Sequence, residues 1–268
     1  MGIFLCANII KYVKKVYKTG FLWYNIFIVA IKEEMPVRLD KMLSECGVAT
    51  RKESAKAARA GQILVGGVPV SRADIQVNEN TDSVIFCGRA VMYRKFVYVM
   101  LNKPDGYVSA TEDGRDPVVT DLLPDEYRRR EVFPCGRLDK HTLGLMLITD
   151  DGQLSHRLLS PARHVAKSYA FRVKFPLSEG DVCALEAGVD IGGYVTRPCR
   201  VTLENEKEGI ISITEGKYHQ IKLMMEAVHN QITYLERRTF GPLTLDPTLA
   251  RGEWRELTPE EIDALRQA

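Results

Sequence analysis

An α+β fold in two parts is predicted by three observations. Residues 96–268 hold several runs with the two-residue alternation of strands, interrupted by single helical segments. That pattern argues for a mainly antiparallel mixed sheet with helices laid against it. Residues 36–95 hold two short helical segments followed by a Gly-Gly hairpin. Charge is also unevenly spread. The 268 residues carry a net formal charge of +2, which alone says nothing about nucleic acid, but residues 36–95 carry net +4 and residues 96–268 net −5. A small basic module ahead of a larger, mildly acidic one is the layout of a binding part joined to a working part.

Residues 1–34 stand apart. Lys11, Lys14, Lys15 and Lys18 precede an apolar run from Phe21 to Ile31, 11 residues with one Asn. That is well short of the ~20 residues needed to span a bilayer. A signal peptide lacks its small-residue cleavage site here, and a membrane-surface anchor is the next option. Lys32-Glu33-Glu34 must be encoded by a purine-rich run, as a translated ribosome-binding site would be. The extension is therefore expected to be non-native, with translation starting at Met35.

In residues 36–95, Leu39, Met42 and Leu43 recur at helical spacing after Arg38, and Gly47 stops that helix. Thr50 and Glu53 form a capping box that opens a second helix, ended by Gly61. On it Lys52, Lys56 and Arg59 share one face. Ile63 to Val70 reads as a hairpin with Gly66-Gly67 at its turn. Asn78 to Asp82 is a further turn and Val84-Ile85-Phe86 a closing strand. A basic helix stripe alone is more often a solvated face than an RNA contact.

Tyr93-Arg94-Lys95 links to the larger part. Phe96 to Leu101 is a strand, and Asn102 to Tyr107 a turn in which Lys103, beside Tyr107, could contact RNA. Arg115 to Arg130 is polar, with a short apolar helix or turn near Val118 to Leu123. Leu143 to Ile148 is a buried strand closed by Asp150-Asp151-Gly152. Gln153 to Ser160 is a helix ended before Pro161. Lys167 to Phe175 alternates and is a strand. Val182 to Ala187 is helical, and Val195 to Leu203 and Gly209 to Thr214 are strands. Gln220 onward is a helix with Ile221, Met225 and Val228 on one face. Ile232 to Phe240 and Leu243 to Leu245 are strands. Thr258-Pro259-Glu260-Glu261 caps a last helix running through Leu265.

The six cysteines form no Cys-x-x-Cys pair and fit no zinc spacing, so they read as free thiols in a reducing compartment. Cys135 lies near Asp139, but no His/Asn arrangement accompanies it as a nucleophile would require. The chain also lacks a phosphate-cradling Gly loop and a ligand cluster, so no metal and no cofactor is expected. Asp139 stands at the mouth of the Leu143–Ile148 strand with Arg137 two residues before it. Such a carboxylate is either a positioned nucleophile or base, or a structural Asp that caps a turn and pairs with Arg137. Tyr169 and Lys222 also sit at the edges of apolar elements. By themselves they read as a strand tyrosine with a satisfied hydroxyl and a helix-surface cation.

The order of these segments changes the weighting. Arg38-Leu39-Asp40-Lys41, Arg51-Lys52 and Gly61 to Val70 resemble the RNA-binding domain named after ribosomal protein S4. Gly136-Arg137-Leu138-Asp139, Lys167-Ser168-Tyr169, Glu215 to Lys222 and Gly241-Pro242-Leu243 resemble the successive motifs of the pseudouridine synthases. The finer match is to the ribosomal small-subunit pseudouridine synthase A type, through Met100 to Pro104, Thr149 to Gly152 and Lys217 to Gln220. The resemblance runs from about Val37 to Leu265. It implies an S4-like domain over 36–95 and a catalytic domain over 96–268. Arg38, Lys41, Arg51, Lys52, Lys56 and Arg59 would contact the phosphate backbone, which positions a protein without reading sequence.

The activity implied is isomerisation of a uridine to pseudouridine. The N-glycosidic bond breaks, the uracil turns over and a carbon–carbon bond forms. Asp139 would be the nucleophile or the base that removes a sugar proton. Lys222 takes the place of the family's basic partner. Tyr169 would stack on the flipped uracil and assist proton removal at carbon 5, and Leu243 would wall the pocket. Arg137 and Lys103 would hold substrate. His219, an RNA contact or a capping histidine, stays outside the catalytic set. The family commonly has a second basic residue where this chain has Leu223-Met224. The expected partner is 16S ribosomal RNA in a partly assembled small subunit, at uridine 516 in the family's usual numbering. The expected state is a cytoplasmic monomer without membrane contact. A paralogue acting on 23S ribosomal RNA and a non-catalytic ribosome-assembly RNA-binding protein are the alternatives.

Overall fold

The structure, a computed structural model, describes residues 36–78 and 81–268. The expected extension over residues 1–34 lies outside them. The chain divides into two compact units, with Tyr93 in the first and Arg94 opening the main span of the second.

The first unit opens with β1 (Val37–Arg38), α1 (Leu39–Glu45) and α2 (Arg51–Arg59). Leu39, Met42 and Leu43 of α1 and Ala57 and Ala58 of α2 are buried. The cap of α2 is reciprocal: Thr50 N–H donates to Glu53 Oε2 at 2.7 Å and Glu53 N–H to Thr50 Oγ1 at 3.3 Å. With its small residues buried, α2 leaves Arg51, Lys52, Lys56 and Arg59 exposed. Then come β2 (Ile63–Val65), β3 (Val68–Pro69), β4 (Gln76–Val77), β5 (Val84–Phe86) and β6 (Arg89–Val91). They form a four-stranded sheet in the order β3-β2-β5-β6, while β1 pairs with β4. Gly66 and Gly67 both take left-handed φ, 58° and 81°, as the tight turn between β2 and β3 demands. Val84–Phe86 is not the closing strand: Arg89-Ala90-Val91 pairs back onto it. That strand has no alternating apolar signal to betray it.

The second unit runs β7 (Tyr98–Lys103), α3 (Asp125–Arg129), β8 (Phe133–Pro134), β9 (Leu143–Thr149), α4 (Gly152–Leu159) and β10 (Lys167–Val173). It continues with α5 (Glu179–Ala187), β11 (Arg200–Asn205), β12 (Glu208–Ile213), α6 (Gln220–Ala227), β13 (Ile232–Phe240), β14 (Leu243–Thr244), β15 (Trp254–Glu256) and α7 (Pro259–Gln267). The sheet order is β11-β12-β10-β13-β9-β7-β15, with β14 on β13 and β8 on β9. Every pairing is antiparallel except β9 with β13, which meet in only two residue pairs, Leu143 with Glu236 and Gly144 with Arg237.

Both faces of this sheet are covered. Val99, Leu101, Met146 and Ile148 join Leu185 of α5 and Ile221, Met224 and Met225 of α6 on one side. Tyr98, Met100, Leu145 and Leu147 join Leu154 and Leu158 of α4 and Leu265 of α7 on the other. Burial on both faces explains why β7 and β9 read as continuous apolar runs.

Three boundaries differ from expectation. β7 extends through Asn102 and Lys103, because both are buried and held by hydrogen bonds. The strand expected over Val195–Leu203 starts only at Arg200, since Val195 makes a single bridge to Asp190 across the Gly192-Gly193 turn. The short apolar turn expected near Val118 to Leu123 is present, and the short helix α3 follows it inside the polar stretch Arg115 to Arg130.

Candidate active site

The Asp139 loop joins β8 to β9 and is pinned from several sides. Gly136 takes a left-handed φ of 82° where the chain leaves β8. The Ser109 hydroxyl accepts from Leu138 N–H at 2.9 Å and donates to its carbonyl at 2.7 Å. The Thr142 N–H donates to the Asp139 carbonyl at 3.0 Å. Lys103, at 0% exposure, inserts its ammonium beneath the loop and donates to the carbonyls of Pro104, Lys140 and Thr142 at 3.2, 3.0 and 2.9 Å. At the rim Lys140 pairs with Asp116 at 2.7 Å and His141 with Asp105 at 2.9 Å.

The opposing wall comes from the start of α6. Lys217 N–H donates to Gln220 Oε1, and Gln220 Nε2 donates to Glu215. That knot turns the chain so that His219 sits in a left-handed conformation, φ 50°, just ahead of the helix. One turn later Lys222 places its Nζ 2.6 Å from Asp139 Oδ2. His219 Nε2 faces the other oxygen, Oδ1, at 3.6 Å. One helical turn thus sets Lys222 against one oxygen of the carboxylate and the His219 ring beside the other.

Tyr169 on β10 is 7% exposed and lines the same cavity, of about 720 Å³. That volume suits a drug-sized or nucleoside-sized group. Among the described residues the Tyr169 hydroxyl makes no hydrogen bond to another protein group. Arg137 is exposed at the rim and makes no ion pair among the described residues. The structural alternative, an Asp139–Arg137 pair, is therefore not formed.

The cavity is basic in an otherwise acidic unit. Seven Lys/Arg side chains line it against three Asp/Glu. Two of the cations are sheltered. Arg237, at 1% exposure and opposite Tyr169 in the β10–β13 register, donates Nε to the Leu145 carbonyl at 2.7 Å and lies 5.2 Å over the Phe240 ring. Lys167 is pushed down to about 8 by burial, with the nearby Arg237 charge adding to the effect. Burial pushes the Cys135 thiol up, which is the opposite of what a nucleophilic thiol needs. Among the described residues no three His, Cys, Asp or Glu side chains converge as metal ligands, and no helix is long and apolar enough to cross a membrane.

Asp139, Tyr169, Lys222 and Arg137 are brought together as expected; two other expected contacts are not. Lys103 cannot touch RNA from its buried position. All three of its ammonium protons are spent on carbonyls, and it braces the Asp139 loop instead. Leu243 does not line the cavity. The Gly241-Pro242 turn folds β14 back on β13 and buries Leu243 in the apolar cluster beside Phe240. Ile213, Ile221 and Leu235, with Leu158 and Val165, supply the apolar wall. Ser109, Arg237 and the nearness of His219 to Asp139 were not legible beforehand. An Arg at an inward register position of β13 was the one available signal.

Comparison with known proteins agrees with this layout. The family description "RNA pseudouridylate synthase" matches residues 97–227, and "S4 domain" matches residues 37–82. An uncharacterized RNA pseudouridine synthase of Bacillus subtilis is 47% identical over 236 residues, covering 86% of this chain and 99% of that one. The ribosomal small subunit pseudouridine synthase A of Vibrio cholerae is 37% identical, covering 85% of this chain and 99% of its own. The crystal structure of a pseudouridylate synthase superposes with a TM-score of 0.60 at 33% identity, covering 85% of this chain and 99% of that one. An S4 domain ahead of a mixed sheet that cradles a basic cavity defines an RNA-modifying enzyme. The chain belongs to the RNA pseudouridine synthase family, in the branch that carries an S4 domain in front.

Proposed function

We propose that this isomerase converts a uridine of 16S ribosomal RNA, uridine 516 in the usual numbering, to pseudouridine. The observation that carries the reading is the Lys222–Asp139 pair at 2.6 Å inside a basic cavity, with the unpartnered Tyr169 hydroxyl on its wall. A uridine leaving its stack costs a few kcal/mol, which favours loops and incompletely folded RNA. The exposed cations of the S4 domain would hold the flanking phosphates. The extruded base then enters between Asp139 and Tyr169. Asp139 acts as nucleophile or as base on the sugar, Lys222 holds one of its oxygens with His219 beside the other, and Tyr169 stacks on the uracil. The freed uracil turns within the cavity and closes the carbon–carbon bond, with no net redox change. The small-subunit name of the Vibrio cholerae relative supports the 16S choice. We place the enzyme in the cytoplasm, acting as a monomer on a partly assembled subunit.

The test is a pseudouridine map of ribosomal RNA from a strain lacking the gene. Loss of one 16S site, restored by the wild-type gene, is expected. Loss in 23S RNA instead would reject the target.

A further inference from the structure

We propose that the Tyr218–His219 stack is a shelf for an unpaired nucleobase adjoining the target uridine. Tyr218 is 71% exposed, one of few large hydrophobic side chains left in solvent among the described residues, and it stands on the rim of the Asp139 cavity. Its ring lies on the His219 imidazole, centroids 3.9 Å apart and planes 18° from parallel. His219 is not a loose support. Its backbone is locked in the left-handed turn before α6, and its Nε2 points at Asp139 Oδ1 from 3.6 Å. The stack is therefore a two-layer column with its inner end against the site carboxylate and its outer aromatic face open.

An extruded nucleotide leaves its neighbours without a stacking partner, and an aromatic face beside the entry point replaces the one they lost. Tyrosine suits this because its ring carries large contact area on only two side-chain torsions. Two cations stand on the same rim: Arg137 is exposed, and Lys217 lies 4.3 Å over the Tyr194 ring. A stacked base needs no hydrogen-bond readout, so the shelf positions the strand and tolerates different neighbours. The 16S reading above supplies only the choice of RNA for the test.

The experiment uses the full chain and a synthetic RNA spanning the target 16S uridine, with 2-aminopurine on its 5′ side in one substrate and on its 3′ side in another. Wild-type protein quenches the fluorescence of one of the two, as does Tyr218→Phe, while Tyr218→Ala does not. Tyr218→Ala raises KM by roughly 5- to 150-fold with kcat unchanged. An abasic nucleotide at the quenched position raises KM in the wild type and adds nothing in Tyr218→Ala. Absence of quenching by wild type, a wild-type KM in Tyr218→Ala, or additive effects of variant and abasic site would overturn the shelf. Quenching without pseudouridine formation would sink the 16S reading and leave the shelf standing.

Discussion

The Lys222 ammonium and the Asp139 carboxylate, 83 residues apart in the chain, meet at 2.6 Å. No other cation reaches Oδ2 among the described residues, so Lys222→Met leaves that oxygen unheld. A drop in kcat of roughly 10²–10³-fold is expected, the scale of losing one well-placed electrostatic partner. Asp139→Asn should abolish turnover while RNA affinity survives. Single-turnover pseudouridine assays and filter binding measure the two quantities. Turnover retained by Asp139→Asn would overturn the assignment of the carboxylate.

The free hydroxyl of Tyr169 separates two roles. Tyr169→Phe keeps the ring and removes only the oxygen. Proton transfer by a positioned side chain contributes typically 10²–10⁴-fold, so kcat should fall about 100-fold with KM steady. Tyr169→Leu should also raise KM through lost stacking. An unchanged kcat in the Phe variant would reduce Tyr169 to a platform.

Lys103 gives a pH signature. Burial lowers its ammonium to about 8, against the pull of the Asp105 and Asp139 charges. The unfolded chain holds that proton to the ordinary lysine value of 10.5. Between the two the unfolded state binds more protons, so the contribution of Lys103 to stability rises with pH. The stability difference between wild type and Lys103→Met should grow from pH 8 to 10, by at most about 1.4 kcal/mol per pH unit. Urea titrations at each pH measure it, and parallel profiles would refute the shift.

Gly144 marks a close approach between the two halves of the sheet. A Cβ there would stand 2.3 Å from the Arg237 carbonyl oxygen, and φ is +96°. Gly144→Ala must part β9 from β13 or strain the backbone, at a cost of roughly 2–4 kcal/mol. Thermal unfolding should show the loss. A variant as stable as the wild type would mean that the strands do not meet there.

The basic face of α2 predicts a salt effect. Replacing Lys52, Lys56 and Arg59 with Ala should flatten the slope of log affinity against log salt by about 2. Ser54, Ala57 and Ala58 carry the packing of α2, so the variant should stay folded. An unaltered slope would remove these residues from the RNA interface.

Local chemistry made much of this legible. Capping boxes at Thr50 and Thr258, the Gly66-Gly67 turn and the apolar runs of β7 and β9 each announce their structure within a few residues. Asp139, Tyr169 and Lys222 were individually ambiguous, and only the ordered resemblance joined them. What stayed hidden depends on contacts far along the chain. Lys103 looks like a surface lysine until the carbonyls of Lys140 and Thr142 are placed over it. Leu243 looks like a pocket wall until the Gly241-Pro242 turn buries it beside Phe240. The approach of His219 to Asp139 needs a left-handed residue that no spacing rule announces.

The two-residue junction of β9 with β13 sets when the enzyme can become an enzyme. Asp139 belongs to the half of the sheet built by β7 and β9, whereas Tyr169 and Lys222 belong to the half built by β10 to β13. Contacts of such long sequence separation are made late in folding. On the ribosome, Asp139 emerges well before the strand that completes the junction, so a half-synthesised chain holds the carboxylate without its partners. Recovery of activity after denaturation is thus a report on the last long-range contacts to form, and should lag the recovery of helical signal.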